Sequence, residues 1–276
     1  MPEWDTDAGR ADRRRYGAAM VVAIVRRTSS RLAEGLLTHL ARQPVDVELA
    51  RRQWEDYVTV LRSVGWTTVE VPPLEECPDS VFVEDTVVAI GSTAVLTHPG
   101  NDARLPEVAA VEPVVRSLGF AVERIESPGR LDGGDVLKVG STIYVGLGGR
   151  TNRDGIRQLG GIARRGGRTV VPVPVTKALH LKSAVTALPD GTIIGWDAAV
   201  DDPSVFPSYL SMPEEPGAHV VVVDDRRVIV SSRAPRSADL LERQGLEAIR
   251  VDISEFEKLE GCVTCLSVRL RALPGD

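Results

Sequence analysis

Residues 85–93, DTVVAIGST, decide the fold, because nearly the same pattern returns at residues 135–142 as DVLKVGST. Each copy joins an acidic residue to a short strand rich in β-branched side chains, a Gly-Ser turn and a second strand. An arginine and a helical segment follow in both places. The leading acids, Asp85 and Asp135, lie 50 positions apart. A repeat of this length is typical of propellers and arrays.

Further hairpins extend the repeat along the chain. One covers residues 183–195, and another surrounds Asp224-Asp225 after a shorter gap. Five units of about 50 residues would use nearly the whole chain, and no linker or change in composition divides it. We therefore expect residues 20–276 to form one α/β domain with cyclic pseudosymmetry, whose first and last strands complete one unit together. Residues 1–19 are expected to be a flexible tail, with Met20 as an alternative start.

The local pattern predicts short strands that alternate with helices. Strands are expected where Val, Ile and Thr cluster between Gly, Asp and Pro, at residues 20–25, 67–71, 87–90, 94–96, 136–139, 142–145, 169–173, 183–188, 192–195, 219–223, 228–230 and 264–270. Helices are expected at residues 46–64, 105–118, 152–164, 236–244 and 254–258.

Composition excludes several classes of protein. Of the 276 residues, 43% are hydrophobic and 26% are charged, which argues against a disordered or fibrous chain. The net charge of −6 argues against non-specific nucleic-acid binding, which needs a basic face. No apolar run approaches the roughly 18–20 residues of a membrane helix. The three cysteines are too few for a disulfide framework, and their odd number suits a reducing cytoplasm.

A CxxC pair near the end of the sequence is the first chemical candidate. Cys262 and Cys265 stand in GCVTCLSV, where a cysteine is most often a small buried hydrophobic residue. A zinc site is poorly supported, because the chain has no second CxxC and no HxxxH. A redox pair is also poorly supported, since the motif does not begin a thioredoxin-like βα unit. A single catalytic thiol and a purely structural role stay open.

The remaining candidates are a histidine and several carboxylates. His180 lies between two leucines, a setting more typical of a core histidine. Asp132 and Asp135 flank two glycines, either as an ordinary turn or as a place where backbone approaches a ligand closely. The segment CPDSVFVED at residues 77–85 carries three acids among apolar neighbours, which suits either a solvated turn or a cationic ligand.

Five of these motifs together resemble one family. FVED, LDGGD, GRTN, HLKS and TCLSVRL occur in the order and spacing of dimethylarginine dimethylaminohydrolase, from about residue 20 to residue 271. The resemblance implies a fivefold pseudosymmetric α/β propeller of ββαβ units, the pentein fold of guanidine-modifying enzymes. It also implies hydrolysis of Nω-methylated L-arginine to L-citrulline and di- or monomethylamine through a covalent cysteine intermediate, without a metal or another cofactor.

The same resemblance implies residue roles. Cys265 matches the nucleophile, His180 the general acid/base and Asp132 the acid that partners them. Arg104 and Arg150 match the pair that holds the substrate α-carboxylate. The groups that would meet the substrate amine or guanidinium are the acids Asp79, Glu84 and Asp85 and the backbone carbonyls of Leu37 and Leu259. The family pattern differs around Arg104, where His98 stands in place of an arginine and Leu105-Pro106 replaces basic residues.

Several rival functions share this plan. Arginine deiminase is generally longer and carries Asp where this chain has Lys182. Amidinotransferases share the Cys, His and acid arrangement, and agmatine deiminase would leave Arg104 and Arg150 without a carboxylate. A non-catalytic binding protein on the same propeller would have no reason to keep Cys265, His180 and Asp132. The expected partner is a small molecule, not a nucleic acid or a membrane; a homodimer stays open.

Overall fold

Five three-stranded sheets follow one another in the computed structural model, which describes residues 21–275. The flexible tail expected at residues 1–19 lies outside the described residues, and so does Met20, the alternative start. The fifteen strands are β1 Val22–Val25, β2 Thr67–Glu70, β3 Val87–Ile90, β4 Thr93–Leu96, β5 Ala121–Arg124, β6 Val136–Val139, β7 Thr142–Leu147, β8 Thr169–Pro174, β9 Val185–Ala187, β10 Ile193–Gly195, β11 Tyr209–Ser211, β12 Val220–Val222, β13 Arg227–Ser231, β14 Glu247–Val251 and β15 Val268–Leu270.

All five sheets have the same topology. In each, an inner strand pairs antiparallel with a middle strand, which pairs parallel with an outer strand; the inner strands are β3, β6, β9, β12 and β15. The last strand supplies the inner position of the first sheet, where Leu270 pairs with Val22. The repeat found in the sequence is therefore confirmed, and the first and last strands of residues 21–275 close the ring.

Helices provide most of the crossovers between the parallel middle and outer strands, as such connections require. The helices are α1 Val47–Ser63, α2 Leu105–Ala109, α3 Glu112–Ser117, α4 Arg153–Arg165, α5 Pro235–Arg243 and α6 Ser254–Glu257. In α1 the Asp46 side chain accepts the Leu49 N–H and caps the first turn. Trp54, Tyr57 and Leu61 recur at helical spacing along α1 and are buried in the core. Across residues 21–275, no helix is both long and apolar enough to span a membrane.

Three predictions of local structure were wrong. The single helix expected at residues 105–118 is two short helices, and the second begins at Glu112-Pro113, where proline cannot donate to a preceding turn. The strand expected at 264–270 begins only at Val268, so Cys265 lies in a turn instead. The outer strands β5, β11 and β14 were missed, because they are only partly buried and lack a clear apolar run.

The topology brings the chemical candidates to one end of the ring. The residues before the inner strands include Asp85 before β3, Asp132 before β6, His180 before β9 and Cys265 before β15. Because the inner strands occupy equivalent positions and run in the same sense within their sheets, their leading segments converge. Motifs that are 47 or more residues apart therefore meet in space.

Candidate active site

A small cavity of about 20 Å³ lies where these segments meet. A space of this size holds about one water molecule. Most of the predicted site residues line it, together with several that the sequence did not indicate; the lining is Leu36, Asp79, Phe82, Asp85, Arg104, Arg150, Leu179, His180, Leu259, Glu260, Gly261 and Cys265.

A buried carboxylate orients the histidine. Asp132 is fully buried, and its Oδ2 lies 2.9 Å from Nε2 of His180. Its other oxygen accepts the Gly100 N–H at 2.8 Å, which fixes the carboxylate. Asp85 Oδ1 lies 3.9 Å from the same ring nitrogen of His180. The histidine therefore sits between two carboxylates, and it lines the same cavity as Cys265.

The two glycines between Asp132 and Asp135 make this arrangement possible. A Cβ at Gly134 would lie 2.7 Å from both His180 Nδ1 and Asp85 Oδ1, and a Cβ at Gly133 would lie 2.0 Å from the Glu84 carbonyl oxygen. Real side chains do not tolerate such distances, so only glycine allows the backbone to approach here. The backbone N–H of Gly134 also donates to Asp85 at 2.8 Å.

The charges around His180 favour its protonated form. Burial alone lowers the pKa of His180, but the nearby Asp85, the hydrogen bond with Asp132 and the charge of Asp135 outweigh it and raise the pKa to about 9. Burial likewise works against ionisation of Asp85, yet His180 and Arg104 hold its pKa below the usual range. At neutral pH the site therefore contains an imidazolium that can donate a proton.

Cys265 lies at the end of a tight turn. Its backbone N–H donates to the Cys262 carbonyl at 3.0 Å, and its own carbonyl accepts the Glu84 N–H at 3.2 Å. Its Sγ is 3.2 Å from the Sγ of Cys262. That hydrogen bond, burial and the nearby negative groups raise the pKa of Cys265. These surroundings favour the neutral thiol, and a cationic ligand beside Cys265 would favour the thiolate.

Two arginines face the cavity in different ways. Arg104 is buried and donates to Asp85 at 2.6 Å and to Glu107 at 2.7 Å, with further bonds to backbone carbonyls. Arg150 is half-buried and donates only to Thr38 Oγ1, at 3.2 Å, with no carboxylate partner in residues 21–275. Arg150 is therefore the cation with more freedom to receive an anionic group.

The loop after residue 35 borders the cavity through Leu36. Both carboxylate oxygens of Asp79 accept the Leu36 N–H at 3.1 Å. Glu260, which the sequence did not indicate, accepts the backbone N–H groups of three successive loop residues, at 3.0 Å from Thr38, at 2.7 Å from Leu40 and also from His39. We call residues 36–40 the cover loop. Glu260 adopts a positive φ of 60°, which turns its side chain towards the loop. This backbone conformation cannot be recognised from the sequence.

Glu84 and Leu37 do not line this cavity. The Glu84 carboxylate binds Lys182 at 2.5 Å and Arg269, and it faces a separate cavity at the other end of the inner strands. Leu37 belongs to the cover loop, but the neighbouring Leu36 is the loop residue that lines the cavity. Leu259 lines the cavity as expected.

Three of the groups could in principle ligate a metal. Ligand atoms of Asp85, Asp132 and His180 lie within 4.8 Å of one another. However, Asp85 is ion-paired with Arg104, and Asp132 already accepts Gly100 and holds His180. A divalent cation would have to displace these partners, so the donor set fits a hydrogen-bonded network better than a metal centre.

Two relatives of known name place the chain in a family, although no family model matches it. An N(G),N(G)-dimethylarginine dimethylaminohydrolase of Streptomyces coelicolor is 57% identical over 251 residues, covering 91% of this chain and 97% of the relative. A Pseudomonas aeruginosa protein of the same name is 35% identical over 252 residues, covering 89% and 98%.

A solved structure agrees with the sequence relatives. The P. aeruginosa enzyme, crystallised as a cysteine-to-serine mutant complexed with citrulline, superposes with a TM-score of 0.84 at 32% identity, covering 92% of this chain and all of that one. The fivefold α/β propeller expected from the resemblance is thereby confirmed. The chain belongs to the dimethylarginine dimethylaminohydrolase family.

Proposed function

We propose that the protein hydrolyses free Nω-methylated L-arginine, both asymmetric dimethylarginine and monomethylarginine, to L-citrulline and di- or monomethylamine. The observation that carries this proposal is one cavity that combines a thiol, a carboxylate-bound imidazolium and separate acidic and basic groups. A cationic amino acid presents matching charges. The family membership supports the same reaction.

Arg150 and Arg104 hold the α-carboxylate of the substrate in this proposal. A guanidinium suits the task because its planar fork pairs with two carboxylate oxygens. Arg150 supplies the freer donors, whereas Arg104 has most of its N–H groups committed to Glu107, Asp85 and backbone carbonyls. Arg104 therefore contributes mainly through its charge and a remaining Nη1–H.

Carboxylates and carbonyls receive the cationic parts of the substrate. Asp79 and the backbone carbonyls of Leu37 and Leu259 would bind the α-amino group, and Asp85 would bind the guanidinium. Burial raises the pKa of Asp79, so a cationic ligand also favours its ionised form. Glu84 supports the site without lining the cavity. Its carboxylate pairs with Lys182, and its backbone N–H donates to the Cys265 carbonyl and so helps to position the nucleophile.

The reaction then proceeds in two halves. The bound guanidinium favours the Cys265 thiolate, which attacks the central carbon and forms a tetrahedral adduct. His180 donates its proton to the departing methylated amine, and a covalent amidino-thioether on Cys265 remains. His180, now neutral, removes a proton from water as it attacks the same carbon. Collapse releases citrulline and the sulfur of Cys265. General acid–base assistance of this kind contributes typically 10²–10⁴-fold to the rate.

Substrate entry requires the cover loop to move. The cavity of about 20 Å³ is far too small for an amino acid of this size. The contacts that close it are hydrogen bonds from loop backbone N–H groups to Glu260 and Asp79, which can break and reform without disturbing the sheets. The described conformation is thus a closed one.

We place the reaction in the cytoplasm, which the three free thiols support. The absence of nucleic-acid and membrane partners stays a prediction from the sequence, and whether the protein forms a homodimer stays open.

The proposal is tested by measuring citrulline release from asymmetric dimethylarginine and from unmodified arginine at equal concentrations. Preferential release from the methylated substrate, abolished in a folded Cys265→Ser variant, is the expected result. Equal or greater release from arginine would favour a deiminase, and no release from either would exclude both.

A further inference from the structure

We infer that Cys262 and Cys265 form a peroxide-reactive thiol pair, in which Cys262 resolves the oxidised nucleophile as a disulfide and so protects it reversibly. The inference rests on the proposed role of Cys265, although the disulfide itself can be detected without any activity measurement.

The geometry suits a disulfide with little movement of the backbone. The Cys265 N–H donates to the Cys262 carbonyl at 3.0 Å, so the two residues are the first and last of a β-turn. In such a turn the two Cα atoms are less than about 7 Å apart, which matches the usual disulfide range of about 4.4–6.8 Å. The sulfur atoms already lie 3.2 Å apart. Small side-chain rotations are therefore sufficient to join them.

The 3.2 Å contact between the two sulfur atoms lets them share one proton. The hydrogen bond with Cys265 lowers the pKa of Cys262 and outweighs burial, which acts in the opposite direction. The charge of His219 and the Thr264 hydroxyl, 3.2 Å from the same sulfur, lower the pKa further. The pair therefore loses one proton more readily than a free thiol does. Both residues belong to the same core cluster, but Cys265 lines the cavity and Cys262 does not, so a small oxidant in the cavity meets Cys265 first.

The chemistry is balanced with a peroxide as the oxidant. As the Cys265 sulfur attacks one peroxide oxygen, its proton passes to the Cys262 sulfur across the 3.2 Å contact. The O–O bond breaks, and the leaving hydroxide takes that proton and departs as water. A sulfenic acid on Cys265 and a thiolate on Cys262 remain. The Cys262 thiolate then attacks the Cys265 sulfur, the S–O bond breaks, and a second water leaves after protonation. Two thiols and one hydrogen peroxide thus give one disulfide and two waters. A dithiol reductant reverses the change.

Cys77 provides a matched internal control. It is also buried, but it lies outside the cavity and outside the cluster that contains the pair. Burial raises its pKa, which keeps it a poorly reactive thiol. A Cys77→Ser variant should behave like the wild type in every oxidation assay.

The experiment exposes wild type, Cys77→Ser, Cys262→Ser and Cys262→Ala to hydrogen peroxide, and then to dithiothreitol. Peptide mass mapping of wild type should show a Cys262–Cys265 link with the loss of two hydrogens, and citrulline production should recover at least tenfold on reduction. Both Cys262 variants should instead gain two or three oxygens at Cys265 and stay inactive. Two variants are used so that one folding failure is not decisive.

Either of two results would overturn the inference: no linked peptide in the oxidised wild type, or equal recovery in wild type and the Cys262 variants. If none of the unoxidised proteins releases citrulline, the proposed function fails, whereas the mass measurement still decides whether the disulfide forms. Saturating substrate should slow formation of the link, because it occupies the cavity through which peroxide reaches Cys265.

Discussion

Replacing Arg150 with alanine should reduce kcat/KM for dimethylarginine by about 10- to 100-fold. In the closed conformation Arg150 makes one hydrogen bond, to Thr38, and has no carboxylate partner in the described chain. Its charge is therefore available for the substrate α-carboxylate. A hydrogen bond to a charged group contributes roughly 1.5–3 kcal/mol, and 1.4 kcal/mol corresponds to a factor of ten. The fold should survive, because the side chain is only half-buried.

Steady-state citrulline release gives the measurement, with a methylated agmatine as the second substrate. That compound lacks the carboxylate, so Arg150→Ala should change its kcat/KM by less than about twofold. The exposed neighbour Arg153 provides a control for net charge, and Arg153→Ala should have wild-type kinetics. An equal loss on both substrates would refute the carboxylate clamp.

The other predictions concern the nucleophile, the histidine, the cover loop and the glycine turn. Cys265→Ser should abolish turnover without changing the melting temperature by more than a few degrees; residual turnover would exclude it as nucleophile. Because the pKa of His180 is raised from 6.5 to about 9, its stabilising contribution is complete below pH 6.5 and is lost as the pH rises through 9. The difference in free energy of unfolding between wild type and His180→Gln should therefore fall by roughly 3 kcal/mol from pH 6 to pH 10, measured with urea; a constant difference would contradict the shift. Glu260→Gln keeps an acceptor but removes the charge that binds three loop N–H groups, so trypsin cleavage after Arg42 should accelerate several-fold and KM should rise; unchanged cleavage would show that Glu260 does not hold the loop closed. Gly134→Ala should lower activity at least tenfold, because its Cβ would clash with the histidine ring, and a fully active variant would disprove that packing.

The ring and its closure could be predicted from the sequence because they follow from a repeated local pattern. The acids at 85 and 135 start equivalent strands, and the pairing of Val22 with Leu270 follows from a fivefold repeat that has no other way to complete its last unit. The outer strands carry less information: β5, β11 and β14 are partly exposed, so their residues are not selected for a strict apolar alternation.

The site was predictable only where a motif fixes a side chain's position. Glu84 and Asp85 are adjacent in FVED, yet they point to opposite sides: Asp85 meets His180 and Arg104, whereas Glu84 meets Lys182. A short 3-10 turn causes this divergence, and a motif does not reveal which side each residue faces. Glu260 was missed for a related reason, since its role depends on a left-handed backbone conformation.

The central claim is that Cys265 attacks the guanidinium carbon and expels the methylated amine. It is tested most directly by acid-quenching the enzyme during turnover of dimethylarginine and mapping the peptides by mass. The account predicts a substrate-derived amidino adduct on Cys265 alone, with dimethylamine released in equal amount before citrulline appears. An adduct on Cys262 or Cys77, or citrulline formation at full rate with Cys265 unmodified throughout, would contradict it.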